Sequence, residues 1–167
     1  MWEGRFIVAR REGKWEYVGR TRNIHAAVIV AIDQDHVLLV EQYRVPLKAK
    51  CLELPAGLIG DEDEGEDIEV AAARELEEET GYRAGSMTVI GRFASSPGMV
   101  SETFTLVRAH DLVKVGEGGG VAGEDIIVHR VPLDDIAGYI EAKRAEGFVI
   151  DVKMLLLLGS AVIPEGN

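Results

Sequence analysis

The chain has 167 residues, 47% of them hydrophobic, which is enough apolar matter for the core of one domain and excludes disorder as its main state. Its formal net charge of −11 repels polyanions, so nucleic acid and anionic membrane surfaces are excluded as natural partners. Cys51 is the only cysteine, which rules out an internal disulfide and fits a reducing, cytoplasmic location. The first sixteen residues show no signal-peptide core, and the apolar run Met154–Ile163 is too short to span a bilayer.

In chain order, residues 5–10 and 15–20 are short, aromatic and β-branched around Glu12-Gly13-Lys14, which predicts a β-hairpin whose hydrophobic face needs a partner. Residues 24–32 and 36–43 flank Asp33-Gln34-Asp35 and predict a second hairpin. Its first strand is almost wholly apolar and belongs at the centre of a sheet covered on both faces. A short strand around Leu52-Glu53-Leu54 is expected to end at Pro55-Ala56-Gly57. A helix is expected over about 66–80, with Ala71, Ala72, Ala73 and Leu76 on its packed face and Gly81 at the C-cap.

Further strands are expected at about 86–94, 103–109 and 125–131, broken by Ser95-Ser96-Pro97-Gly98 and by the glycine-rich residues 116–123. Two amphipathic helices should follow, at about 133–145 and 151–160, the second capped by Asp151. Strands interleaved with covering helices read as an α/β sandwich.

The chemistry concentrates between Gly60 and Tyr82. On a helix, Glu75, Glu78 and Glu79 fall within one arc of roughly 100°, where like charges repel unless a cation joins them. Hard oxygen donors of this kind suit Mg²⁺ or Mn²⁺. Most acidic helix faces are only solvated, but this one also fits G-x5-E-x7-R-E-U-x-E-E-x-G-U, where U is bulky and apolar. Gly60, Glu66, Arg74, Glu75, Leu76, Glu78, Glu79, Gly81 and Tyr82 occupy its fixed places. The pattern resembles the signature of the Nudix hydrolases. Three further stretches, Glu41–Arg44, Leu52–Gly57 and Ser96–Glu102, are similar to those flanking the signature in ADP-ribose pyrophosphatases and related nucleotide-sugar hydrolases. Pro97 lies fifteen residues past Tyr82, where that subfamily carries its marker proline.

The resemblance implies a Nudix-type α/β/α sandwich with a mixed central sheet, and Mg²⁺-dependent hydrolysis of ADP-ribose to AMP and ribose 5-phosphate, with Mn²⁺ as a possible substitute metal. GDP-mannose or another nucleotide sugar is the alternative substrate, and a non-catalytic binding module or an acidic interaction protein is the rival class. Metal-dependent turnover separates them. By the same resemblance, Glu75, Glu79, Glu124 and the Ala56 carbonyl are metal ligands, and Glu78 is a further ligand or the base. Gly60, Glu66, Arg74 and Gly81 brace the loop and helix.

Asp125–His129 matches a D-I-x-V-H strand that relatives precede with a loop glutamate, which makes Glu124 the counterpart. Ala122 stands where some relatives have another, so the base is either Glu124 or a signature glutamate. The run of glycines just before it suggests a mobile loop that closes over substrate. Substrate contacts are implied for Arg44, Glu53, Pro97, Gly98 and Trp15. Arg44 competes with a surface ion-pair reading, and Trp15, with Trp2 and Tyr17, competes with a role covering core or dimer surface. A homodimer in which the hairpin of residues 1–22 reaches across to the partner is also implied. The chain departs from its relatives in the loop, where eight residues rather than five separate Gly57 from Glu66, a three-residue insertion.

Overall fold

The computed structural model describes residues 2–21, 24–59, 65–121 and 123–159. Strands β1 (Trp2–Glu3), β2 (Ile7–Glu12) and β3 (Trp15–Arg20) form a three-stranded antiparallel sheet that turns at Gly13, whose φ of 57° suits glycine. The sheet docks on the chain through backbone. The Val18 N–H donates to the Met99 carbonyl at 3.0 Å, and the Ser101 N–H donates to the Val18 carbonyl at 2.9 Å. Trp2, Phe6, Ile7 and Trp15 remain exposed.

The main sheet is built on the second hairpin, β4 (His25–Asp33) and β5 (His36–Arg44). It continues with β6 (Ala49–Glu53) and β7 (Ala56–Ile59), and the signature segment supplies α1 (Ile68–Thr80). Next come β8 (Tyr82–Arg83), β9 (Ser86–Ala94), β10 (Thr103–His110), β11 (Val113–Lys114) and β12 (Ile127–Pro132). A 3₁₀ turn at Leu133–Asp135 leads into α2 (Ile136–Ala145), β13 (Val149–Ile150) and a 3₁₀ helix at Val152–Leu157. The strand order is β13-β6-β5-β4-β10-β9, with β12 paired to β5 and β7 to β4. The β4–β10 and β6–β13 pairs are parallel and the others antiparallel, so the sheet is mixed.

Successive side chains of a strand point to opposite faces, and β4 uses both. Ala27, Ile29 and Ala31 pack with Ala71, Ala72 and Leu76 of α1, whereas Val28 packs in the opposite core with Ile136 and Ile140 of α2 and with Met154. This is the expected sandwich, and β4 lies inside the sheet with both faces covered.

The two-residue strands β1, β8, β11 and β13 were not expected, and three expected elements take a different form. Pro55-Ala56-Gly57 does not simply end a strand: the Pro55 carbonyl accepts from the Ile29 N–H at 2.8 Å, and Ala56 begins β7 along β4. The signature helix starts at Ile68, not near 66, because Asp67 caps it by accepting the Glu69 N–H at 2.9 Å. The last segment is a short 3₁₀ helix, capped by Asp151 as expected, and of its side chains only Met154 is buried. So little burial gives a longer α-helix no support. Residue 160 lies outside the described residues.

Candidate active site

Small side chains let α1 lie close to the sheet, and this turns one of its faces toward β7. Ala71 and Ala72 are fully buried on the packed side, while Glu75 and Glu79 line a cleft of about 460 Å³ at the other edge of the contact. The helix stops at Gly81, whose φ of 73° is left-handed and whose N–H donates to the Glu77 carbonyl.

Glu79 is only 8% exposed, and its Oε2 accepts the Ala56 N–H at 3.0 Å. Burial, above all, raises its pKa to about 8, and the nearby negative charges of Glu75 and Glu124 push the same way against the Ala56 N–H and Arg44. Gly57 makes room for Glu75, because a β-carbon at that position would overlap the Glu75 carboxyl group. Arg74 donates from Nη1 to Glu75 at 3.0 Å and to Glu78 at 3.4 Å, and from Nη2 to Glu66 at 3.4 Å. It therefore ties the start of the helix to its acidic face.

Of the signature carboxylates, the cleft receives Glu75 and Glu79 but not Glu78. The Glu78 side chain is 40% exposed and turns to Arg74. Glu124, from the loop before β12, lines the cleft half-buried, its Oε2 accepting the Val121 N–H at 2.9 Å. Arg44 and Glu53 stand on the cleft wall as a two-point ion pair of 2.6 and 2.8 Å, and this carboxylate holds the guanidinium charged against the cost of burial. Trp15, Pro97 and Gly98 come together elsewhere, around a recess of about 300 Å³ beside Tyr17. Gly60 lies outside the described residues.

Three charged cleft residues carried no assignment from sequence. Arg20, at the end of β3, bonds Glu102 at 2.6 Å, and both line the cleft. Lys153 reaches it from the 3₁₀ helix while bonding Asp151 at 2.7 Å. Glu102 fell within a flanking stretch already singled out, but Arg20 and Lys153 sit in segments whose local pattern reports only a strand and a helix end.

The donor set fits a hard divalent cation. Glu75, Glu79 and Glu124 offer oxygen to one cleft, where burial first and the neighbouring negative charges second disfavour the ionised Glu79, and a cation would offset both. Among the described residues no three His, Cys, Asp or Glu side chains form a ready metal-binding group. The carboxylates bond instead to Ala56, Arg74 and Val121.

The chain belongs to the Nudix family, since the family model described as the NUDIX domain matches residues 22–149. It is 39% identical over 119 residues to the methanol dehydrogenase activator of Bacillus methanolicus, and 35% identical over 119 residues to the ADP-ribose pyrophosphatase of Bacillus subtilis (strain 168). Each alignment covers 71% of this chain and 63% of the relative, so the chain spans somewhat less than two thirds of these relatives' length. A crystal structure of an ADP compounds hydrolase matches with a TM-score of 0.66 and 25% identity, over 93% of this chain and 91% of that one. Nudix hydrolases generally use divalent metals.

Proposed function

We propose that this protein hydrolyses the diphosphate of ADP-ribose to AMP and ribose 5-phosphate with Mg²⁺, for which Mn²⁺ can substitute. The observation that carries this reading is the buried Glu79, which lines one cleft together with Glu75, its neighbour one turn away on α1, with Glu124 and with the fixed Arg44. The similarity to an ADP-ribose pyrophosphatase and to an ADP compounds hydrolase supports the choice of substrate.

In this reading Glu75, Glu79, Glu124 and the Ala56 carbonyl hold the metal. When bound, the cation offsets phosphate charge and lowers the pKa of a coordinated water. Glu124, or else a signature glutamate, accepts the proton of the attacking water; Glu78, turned out of the cleft to Arg74, is the less suited of these. The water oxygen joins one phosphorus and the bridging oxygen leaves with the other phosphate. Arg44, pre-set by Glu53, orients the diphosphate, and Arg20 and Lys153 add positive charge to the same wall. Trp15, Pro97 and Gly98 line a recess that shares no residue with the cleft, so the substrate contacts expected of them have no support from the cleft's lining.

The exposed Trp2, Phe6, Ile7 and Trp15 fit a homodimer in which a second copy covers the hairpin. Among the described residues no helix is long and apolar enough to cross a membrane, and we place the enzyme in the cytoplasm. The test is product identification after incubation with Mg²⁺ and ADP-ribose, GDP-mannose, UDP-glucose, NADH or nucleoside triphosphates. ADP-ribose should give the highest kcat/KM. Turnover of triphosphates alone would overturn the substrate, and no turnover with either metal would overturn the enzyme.

A further inference from the structure

We propose that Gly118 is a positioning residue: its backbone lies against the last turn of α1, and that contact sets where Glu124 stands relative to Glu79. The inference rests on the reading above that Glu124 acts in the cleft. It changes the meaning of the glycine-rich run, which the sequence alone suggests is a mobile lid.

The last carbonyls of a helix lack partners within it. Here the glycine loop supplies them. The Gly119 N–H donates to the Glu79 carbonyl at 2.9 Å, and the Gly120 N–H donates to the Glu78 carbonyl at 3.0 Å. Just upstream, the Val115 and Gly116 N–H groups donate to the Gly81 carbonyl at 2.8 and 3.0 Å. Such backbone bonding requires close approach, and within the loop Gly118 is the residue whose side chain the helix end leaves no room for. A β-carbon there would stand 2.5 Å from the Glu79 carbonyl oxygen, 2.5 Å from the Thr80 carbonyl carbon and 2.8 Å from the Gly81 nitrogen. All three are backbone atoms, which cannot swing aside. The Gly118 φ of 71° further favours glycine.

From that anchor the register passes to Glu124 in two short steps. Gly120 is held on the Glu78 carbonyl, and a β-carbon on Gly120 would overlap the Glu124 carboxylate. The next residue, Val121, donates its N–H to Glu124 Oε2, while Gln42 Nε2 donates to the Glu124 carbonyl at 3.3 Å. One end of the strap thus lies on the turn that carries Glu79, and its other end holds Glu124. Gly116, in the same loop, is different: its β-carbon would meet only the Gly81 Cα, at an ordinary 3.9 Å.

The experiment compares the full-length wild type with Gly118→Ala and Gly116→Ala. Gly118→Ala should lower kcat for ADP-ribose about 10- to 100-fold with KM within about threefold, because displacing a reacting group by about 1 Å has an effect of that order. It should also shrink the Mg²⁺-induced rise in Tm and remove hydrogen-exchange protection from the Gly119 and Gly120 amides. Gly116→Ala should stay within about twofold of wild type in all of these. If Gly118→Ala does not fold, Gly120→Ala tests the same strap one step further on, because its β-carbon would meet the Glu124 carboxylate, and it should lower kcat at least about tenfold with KM within about threefold.

Wild-type kcat and intact amide protection in Gly118→Ala would overturn the proposal. So would equal losses in Gly118→Ala and Gly116→Ala, an effect on KM alone, or unchanged kcat in Gly120→Ala should that variant be needed. Should the wild type fail to cleave ADP-ribose, the functional reading falls, while amide exchange and the Mg²⁺-dependent Tm still decide the strap.

Discussion

Glu124 and Glu41 are both glutamates bonded to protein donors, but one lines the cleft and the other is buried away from it. Glu124 lies half-buried on the cleft wall, where a carboxylate can receive a proton from water. Replacing it with Gln should lower kcat about 10²- to 10⁴-fold with little change in KM, measured by steady-state kinetics on ADP-ribose. A loss below about fivefold would pass the role of base to a signature glutamate. Glu41 is buried away from the cleft, bonded to Lys50 at 2.6 Å and His129 at 3.0 Å, with Lys143 at 3.6 Å. Burial is the largest influence on it and opposes its charge, yet these partners outweigh burial and hold its pKa below the usual value. A lowered pKa in the fold means that ionised Glu41 stabilises the protein above its unfolded-chain pKa, and that this support is lost as pH falls through the folded value. Glu41→Gln should therefore cost about 1–3 kcal/mol in urea unfolding at pH 7, with the gap to wild type narrowing in acid. A gap that widened as pH fell would contradict the assignment.

At the scale of elements, the N-terminal sheet is the piece whose contribution is least evident from its own chain. It holds the Pro97–Ser101 loop through Val18 and places Arg20 on the cleft wall through Glu102. Removing residues 1–20 should lower kcat/KM and reduce the assembly to monomers by light scattering, or leave an insoluble chain. A truncated protein that stays dimeric and fully active would show the sheet to be dispensable. The hairpins and α1 were legible in the sequence because alternation and helical spacing are local signals, carried by runs such as His25–Asp33 and Ile68–Thr80. The pairing of Ala56–Ile59 along β4 was not, because a strand of four residues after a proline carries no periodic signal. The approach of Gly118 to α1 was equally hidden, since contact between distant stretches of backbone leaves only glycines behind. Those glycines read as mobility until their neighbours are known.

At the scale of the whole molecule, the substrate proposed for this chain of net charge −11 is a diphosphate, whose approach asks for a metal or for local positive charge. Arg20, Arg44 and Lys153 bring positive charge to one cleft from three separate segments, among the five glutamates that also line it, which leaves a metal to supply the rest. The carboxylates and Arg44 were identifiable from the signature and its flanks. Arg20 and Lys153 were not, because only tertiary packing brings them to the cleft. The central claim is that the carboxylate cluster around Glu79 works through a divalent metal to split ADP-ribose. The most direct measurement is ADP-ribose hydrolysis by the wild type and by Glu79→Gln across a Mg²⁺ titration, with both products quantified. The wild type should yield AMP and ribose 5-phosphate in equal amounts and stop on chelation, while Glu79→Gln should lose at least about 10²-fold in kcat/KM and need more Mg²⁺. Hydrolysis that survives chelation, or that Glu79→Gln leaves unchanged at low Mg²⁺, would contradict it.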